Sequence, residues 1–309
     1  MQTQTFGKTG FRISPLGFGS APVGFLKTDR ERAGAMLNFM LDHGVNLIDT
    51  AAMYEGAEVL IGETIGHRRD DYILVSKCGH KIPEAPAGGP FSPEAITATV
   101  DRALARLKTD HLDVMLLHSC DLKTLQKGEA LQALVKARDA GKVTFVGYSG
   151  DNDAAVHAAG LEDVAVIETS VSLADQHNID TVLPACVSNN VGVLAKRPIA
   201  NAAWKDISTQ QGFYKNYAKT YTERLSKMQL NPTDLGVAGP LEKAWPELAL
   251  RFTLSQPGVH CAIIGTTNPD NATFNLDLVK KGHLPAETIQ KIRAAFHQAD
   301  PEGKWLGQT

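Results

Sequence analysis

The chain has 309 residues, 43% hydrophobic and 21% charged, with a formal net charge of −3 at pH 7. That balance suits a soluble globular protein with a sizeable core, and the length suits one α/β barrel with insertions. A pI of about 6.4, with no Lys/Arg run, argues against nucleic acid and anionic membrane as partners.

The first ten residues contain no apolar segment of the secretory kind. Segments 3–6 and 11–14, joined by Gly7-Lys-Thr-Gly10, predict a small hairpin that plugs the bottom of a barrel. Strands are expected at 15–19, 45–49, 72–77, 112–118, 143–149, 164–168, 191–196 and 261–265. These runs are near-continuously apolar, the pattern of parallel strands covered on both faces.

Helices fall between them. Over 28–43, Ala33, Met36, Leu37, Met40 and Leu41 share one face, Thr28 with Glu31 makes a capping box, and Gly44 supplies a left-handed stop. Ser92-Pro93 opens another, with Ile96, Thr99, Val100, Ala103, Leu104 and Leu107 at helical spacing. Stretches 79–91 and 198–235 read as long loops, and loops of that length in a compact domain are usually functional or disordered. Cys78, Cys120, Cys186 and Cys261 form no CxxC pair and read as reduced thiols in a cytoplasmic protein. No repeat, linker or membrane-length apolar stretch interrupts the series. Residues 1–309 therefore read as a single (β/α)8 TIM barrel with an N-terminal β-hairpin and long loops at the C-terminal rim, expected as a monomer or weak homo-oligomer.

Asp49, Lys77 and His118 stand at the ends of three successive predicted strands, the rim where barrel enzymes build their sites. A buried Asp and a buried Lys are costly apart and natural partners together. Tyr54 follows Asp49 by one short loop. A phenol ordinarily titrates near pH 10, too high for easy proton exchange at neutral pH. A nearby ammonium favours the phenolate, Asp49 would hold that ammonium, and His118 would bond the substrate oxygen or relay a proton. Taken singly, Asp49 suits a helix cap, Tyr54 packing, Lys77 a solvated strand end, and His118 a satisfied core histidine. Their combination at neighbouring rims points to proton transfer.

The sequence resembles the aldo-keto reductases. The resemblance runs through Phe6-Gly-Lys-Thr-Gly-Phe-Arg-Ile-Ser-Pro-Leu-Gly-Phe-Gly19, Gly44-Val-Asn-Leu-Ile-Asp-Thr-Ala51 with Tyr54, and Val75-Ser-Lys77. It continues through Leu107-Lys-Thr-Asp-His-Leu-Asp-Val-Met-Leu-Leu-His-Ser119, Gly147-Tyr-Ser149 and Gln256-Pro-Gly-Val259. It implies a catalytic tetrad of Asp49, Tyr54, Lys77 and His118, with Tyr54 as general acid in reduction and general base in oxidation. It also implies NADPH, or NADH, lying across the barrel mouth without a Rossmann domain. The substrate would be a small carbonyl compound or a sugar-like alcohol.

By position, Ser149 would hold the carboxamide, and Thr266 would sit near the adenosine phosphate. Gly19, Ser20, Asp49, Pro198, Gly265, Thr267 and Asn275 would complete the cofactor seat. Asn268 as cap and Pro269 in the first turn independently leave free N–H groups facing an anion. Gly17-Phe-Gly19 is too short to count as a dinucleotide fingerprint. Phe25, His80, Phe91 and Trp204 are candidate substrate walls.

Four positions depart from the family pattern. Gly150 replaces an Asn, and Glu168 replaces a Gln beside the carboxamide. Arg197 takes the region of an aromatic that stacks on the nicotinamide, where a planar guanidinium can also stack. Gly265 and Asn271 are uncharged where basic residues meet the 2′-phosphate, and Asp270 adds negative charge nearby. A non-catalytic nicotinamide-sensing subunit is the main alternative. A metal-dependent hydrolase using Asp49, His118, His80 and Cys78 is disfavoured by the lack of HxH or HExxH spacing, so no metal is expected.

Overall fold

Among the residues described by the computed structural model, 1–82, 89–209 and 214–308, eight parallel strands close a barrel. Two short strands precede it, β1 (Gln4–Thr5) and β2 (Arg12–Ile13), paired antiparallel. The barrel strands are β3 (Leu16–Gly19), β4 (Leu47–Asp49), β5 (Ile73–Cys78), β6 (Leu112–His118), β7 (Val143–Ser149), β8 (Val164–Ser170), β9 (Gly192–Lys196) and β10 (Cys261–Ile264). Each pairs with its sequence neighbour, and β10 pairs back onto β3.

Period-two alternation decides what each strand shows to the barrel interior. Ile48, Leu74, Met115, Leu117, Ile167 and Val193 face outward and pack with the surrounding helices into the larger core. Leu47, Val75, Val114, Leu116, Val166, Leu194, Cys261 and Ile263 face inward. Phe6 and Ile13, both fully buried, join that inner cluster. The hairpin therefore plugs the N-terminal end of the barrel, as the sequence predicts. One alternation further along β4, β5, β6, β8 and β9 come Asp49, Lys77, His118, Glu168 and Lys196. The top layer of the interior is polar because the same period carries those residues inward.

Local details differ from expectation. The first long helix runs Arg30–Asp42 and is capped by Asp29, whose side chain accepts from Arg32 N at 2.9 Å, rather than by Thr28. Gly44 does supply the left-handed turn, with φ +83°. The helix Pro93–Leu107 begins as predicted, with Ser92 Oγ accepting from Ala95 N.

The stretch 198–235 is not one loop, because it contains the helix Tyr214–Met228. Ala218, Tyr221, Leu225 and Met228 repeat at three and four residues and bury one face against Leu248, Phe252, Ile292 and Phe296. Part of 79–91 lies outside the described residues. The C-terminal segment returns to the barrel top, where Arg224 donates to the Leu306 carbonyl at 2.8 Å and Asn152 accepts from Gly307 N at 2.7 Å. Among the described residues no helix is long and apolar enough to cross a membrane. The four cysteines are free and buried.

Candidate active site

The polar layer is an ionic cluster. Lys77 Nζ donates to Asp49 Oδ1, donates to the Thr50 carbonyl at 3.1 Å, and lies 3.1 Å from Glu168 Oε2. The Lys77 side chain is fully buried. An isolated ammonium there would cost several kcal/mol, so the carboxyl groups are what make this position tenable for a lysine. Burial alone would lower the Lys77 pKa, but Asp49 and Glu168 outweigh it and hold the amine protonated, above its usual range. Burial pushes the Asp49 carboxyl up and Glu168 pushes it further, against the pull of Lys77, to about 8.

Tyr54 closes over this cluster from the loop after β4. Its ring centroid is 5.4 Å from Lys77 Nζ and 6.3 Å from the His118 ring, nearly perpendicular to it. His118 is held neutral, its pKa driven well below 6.5 by burial first and by the Lys77, His80, Lys196 and Arg197 charges after that. A neutral imidazole donates from one nitrogen and accepts at the other. A phenol beside a fixed ammonium and next to such an imidazole is equipped to exchange a proton with an oxygen placed between them.

These groups open into a cavity of about 810 Å³, within the range of small-molecule sites. Of the predicted cofactor residues, Gly19, Asp49, Ser149, Glu168, Arg197 and Pro198 line it. Gly265, Thr266, Thr267 and Asn271 line its other end. There Asn268 caps the helix Pro269–Lys280, accepting from Asp270 N at 2.8 Å, and the first turn faces the cavity. A Cβ on Gly265 would stand 2.5 Å from the Gly19 carbonyl oxygen, so a close backbone approach shapes that wall. Glu168 Oε2 has no directed hydrogen-bond partner among the described residues. The site fits a long polar ligand anchored by an anionic group at the helix end and an amide near Ser149 and Glu168.

Ser20 and Asn275 are not part of the cavity wall. Ser20 is fully buried and donates its N–H to the Asp49 carbonyl at 2.8 Å, and Asn275 is buried one turn beyond Asn271. Phe25 and His80 line the cavity. Phe25 packs edge-on against Tyr54 at 5.4 Å, and His80 packs on His118 at 4.9 Å. Phe91 stands behind His80, with ring centroids 5.9 Å apart. Trp204 stacks on Trp245 at 5.7 Å in the outer core and does not reach the cavity. Among the described residues no three His, Cys, Asp or Glu side chains are grouped as metal ligands.

Two departures acquire physical reasons. A side chain at Gly150 has no room, because its Cβ would fall 2.2 Å from the hydroxyl of Tyr148, which donates to the Cys120 carbonyl at 2.8 Å. The Arg197 guanidinium stacks 4.0 Å above the Tyr217 ring and donates to Ser170 Oγ at 2.8 Å and to the Gln308 carbonyl. One face of the guanidinium is thus taken by the protein itself. Arg197, Ala200, Asn201 and Ala202 all have positive φ. Left-handed backbone without glycine is strained, and such strain collects where a loop must hold one shape for a ligand.

Lys196 and Tyr217 also line the cavity. Lys196 was legible from Leu194, since two residues on from an inward apolar side chain comes another inward side chain. Tyr217 required the Tyr214–Met228 helix to be recognised. Met53 and Leu26, 39% and 41% exposed, add an apolar lip beside Phe25.

The sequence profile described as Aldo/keto reductase family matches residues 15–296. Among curated proteins, the chain is 25% identical over 312 residues to L-galactose dehydrogenase of Arabidopsis thaliana, covering 95% of this chain and 94% of that protein. It is 26% identical to a probable voltage-gated potassium channel subunit beta of the same plant, over 90% of this chain and 91% of that one. An aldo-keto reductase of Bacillus halodurans, solved in a holo form, shares the fold with a TM-score of 0.77 at 23% identity, covering 96% of each chain. The profile takes in every barrel strand and the whole ionic rim, and the chain belongs to the aldo/keto reductase family.

Proposed function

We propose that this oxidoreductase transfers a hydride reversibly between NADPH or NADH and an aldehyde, ketone or sugar-like alcohol, with Tyr54 as the proton donor and acceptor. The observation that carries the reading is the buried Lys77 ammonium, clamped by Asp49 and Glu168 and flanked by Tyr54 at 5.4 Å, under an open cavity. When bound, the nicotinamide supplies or takes the hydride. Ser149 and Glu168 orient its carboxamide, and the Gly265–Asn271 end of the cavity receives its phosphates. His118, neutral, donates to the substrate oxygen and sets it beside the Tyr54 hydroxyl. Tyr54 then gives its proton to that oxygen in reduction and takes one back in oxidation, while Lys77 steadies the phenolate.

The apolar lip of Phe25, Leu26 and Met53 supports a substrate with an apolar part beside its carbonyl. The uncharged Gly265 and Asn271 support weak discrimination between the two nucleotides. Buried free thiols support a reducing, cytoplasmic setting.

Absorbance of reduced nicotinamide, followed with NADPH and NADH over a panel of carbonyls and alcohols, tests the reading. Consumption with at least one carbonyl is expected, and its absence across the panel in both directions refutes it. A nicotinamide-sensing regulatory role draws support from the similarity to the plant potassium channel subunit. The complete Asp49, Tyr54, Lys77 and His118 set favours catalysis, and turnover in this assay decides between them.

A further inference from the structure

Lys77 is one ammonium between two carboxyl groups. Its Nζ bonds Asp49 Oδ1 and lies 3.1 Å from Glu168 Oε2, and all three side chains are at most 4% exposed. Two carboxylates beside one ammonium leave an uncompensated negative charge with little water to spread it. Such a charge is removed by taking up a proton. Asp49 Oδ1 and Glu168 Oε2 converge on the same Nζ, which brings the two carboxyl groups close together. Carboxylates only accept, so that approach is favourable when one of them carries a hydrogen.

We propose that Asp49 and Glu168 share one proton above Lys77, and that this proton makes the site's preference between oxidised and reduced nicotinamide depend on pH. The inference rests on the nicotinamide reading above. Glu168 lines the cavity beside Ser149, so the pair faces the place where the ring would lie. A protonated pair with Lys77 has no net charge, and an ionised pair has a net negative charge. The reduced ring is neutral and the oxidised ring is cationic. Ionisation of the pair therefore favours the oxidised form, and binding of the oxidised form releases the proton to solvent. A glutamine at position 168 would leave Lys77 and Asp49 as a simple ion pair with nothing to share.

The other groups around the pair respond differently. His118 on β6 is held neutral by burial and neighbouring cations, and burial lowers the His80 pKa as well. Burial, with Asp49 and Glu168, drives the Cys261 thiol on β10 well above its usual range. Lys196 at the end of β9 is lowered by burial against the pull of Asp151, 3.2 Å away, and of Glu168, so it is a second cation facing the pair. Arg197 stays cationic and donates to Ser170. Tyr54 is the remaining proton carrier beside Lys77, and a Tyr54→Phe control removes it.

Dissociation constants for NADP⁺ and NADPH would be measured by titration calorimetry on the intact chain, the Glu168→Gln variant and the Tyr54→Phe variant. The nucleotide phosphates are common to both forms and cancel in the ratio. In the wild type the ratio of the NADP⁺ constant to the NADPH constant should fall with rising pH, by up to about tenfold per unit between about pH 7 and about pH 9. That window brackets the raised Asp49 carboxyl. Glu168→Gln should flatten the ratio, while Tyr54→Phe should keep its slope. Runs in buffers of different ionisation heat should show net proton release on binding NADP⁺ to the wild type, a readout that needs no variant. A flat wild-type ratio, no proton release, or an equal slope in Glu168→Gln overturns the proposal. If neither nucleotide binds, the nicotinamide reading falls and takes the proposal with it. If both bind with a flat ratio, only the shared proton falls.

Discussion

Replacing Lys77 by Met removes the cation and keeps most of the side-chain volume. Asp49 and Glu168 would then remain buried without the ammonium they share. Removing one partner of a buried ion pair costs about 3–5 kcal/mol. The pH dependence of that loss follows from proton counting. Without Lys77 the ammonium that favours the ionised form is gone and the folded pair takes up a further proton, whereas both groups are ionised in the unfolded chain at neutral pH. The wild type retains at most one such proton. The variant therefore takes up about one more proton on folding, and its deficit grows by about 1.4 kcal/mol per pH unit above the ordinary carboxylate range. A group whose folded pKa is raised stabilises at low pH and loses that contribution as pH rises. From about pH 5 to about pH 8 the deficit should widen by about 4 kcal/mol. Chemical denaturation followed by circular dichroism at the two pH values measures it. An equal deficit at both would mean that Lys77 acts by packing and that the cluster is not an electrostatic unit.

Tyr54→Phe should lower kcat by about 100- to 10,000-fold, while cofactor affinity measured by calorimetry stays nearly unchanged; normal turnover would refute Tyr54 as proton carrier. Asn271→Arg should tighten NADPH binding relative to NADH, because Asn271 lines the cavity in the first turn of the Pro269–Lys280 helix; an unchanged ratio would place the 2′-phosphate elsewhere. Gly150→Ala would set a Cβ 2.2 Å from the Tyr148 hydroxyl and strain its bond to the Cys120 carbonyl. A loss of about 1–3 kcal/mol in denaturant stability is expected, and wild-type stability would show that the ring yields freely.

The barrel could be read from sequence because parallel strands buried on both faces are continuously apolar, and β6 and β7 match their predicted limits. Ends were less legible where neighbouring residues serve equally well. Thr28 and Asp29 are both caps by type, and only the chain direction before Arg30 selects Asp29. The Tyr214–Met228 helix was hidden because its apolar face is built from Ala218, Tyr221, Leu225 and Met228 among many Lys and Thr residues, in a stretch dominated by loop signals. Asp49, Lys77 and His118 could be placed on one rim from strand ends alone. Tyr54 could not, because the five residues after β4 have no periodicity to say where a side chain returns. Glu168 was visible as a departure but not as a partner of Lys77. That contact spans the barrel from β5 to β8, and sequence spacing carries no information about distances across a closed sheet.

Buried charge does not by itself mark the site. Arg69 and Asp113 form another largely buried pair at 2.6 Å, yet most of the bonds around them tie backbone in place. Asp113 accepts from Leu74 N at 2.7 Å, and Arg69 donates to the carbonyls of Tyr72 and His111. That pair staples β5 to β6 on the outward face, and neither residue lines the cavity above the Lys77 cluster. The Lys77 cluster is built the other way. It sits on the inward face, borders a cavity of about 810 Å³, and leaves Glu168 Oε2 without a directed partner. Well-packed apolar side chains could replace a purely structural ion cluster at little or no loss of stability. An ionic layer at the top of an otherwise apolar interior, bordering an open cavity, is better explained by what enters the cavity than by what holds the barrel shut.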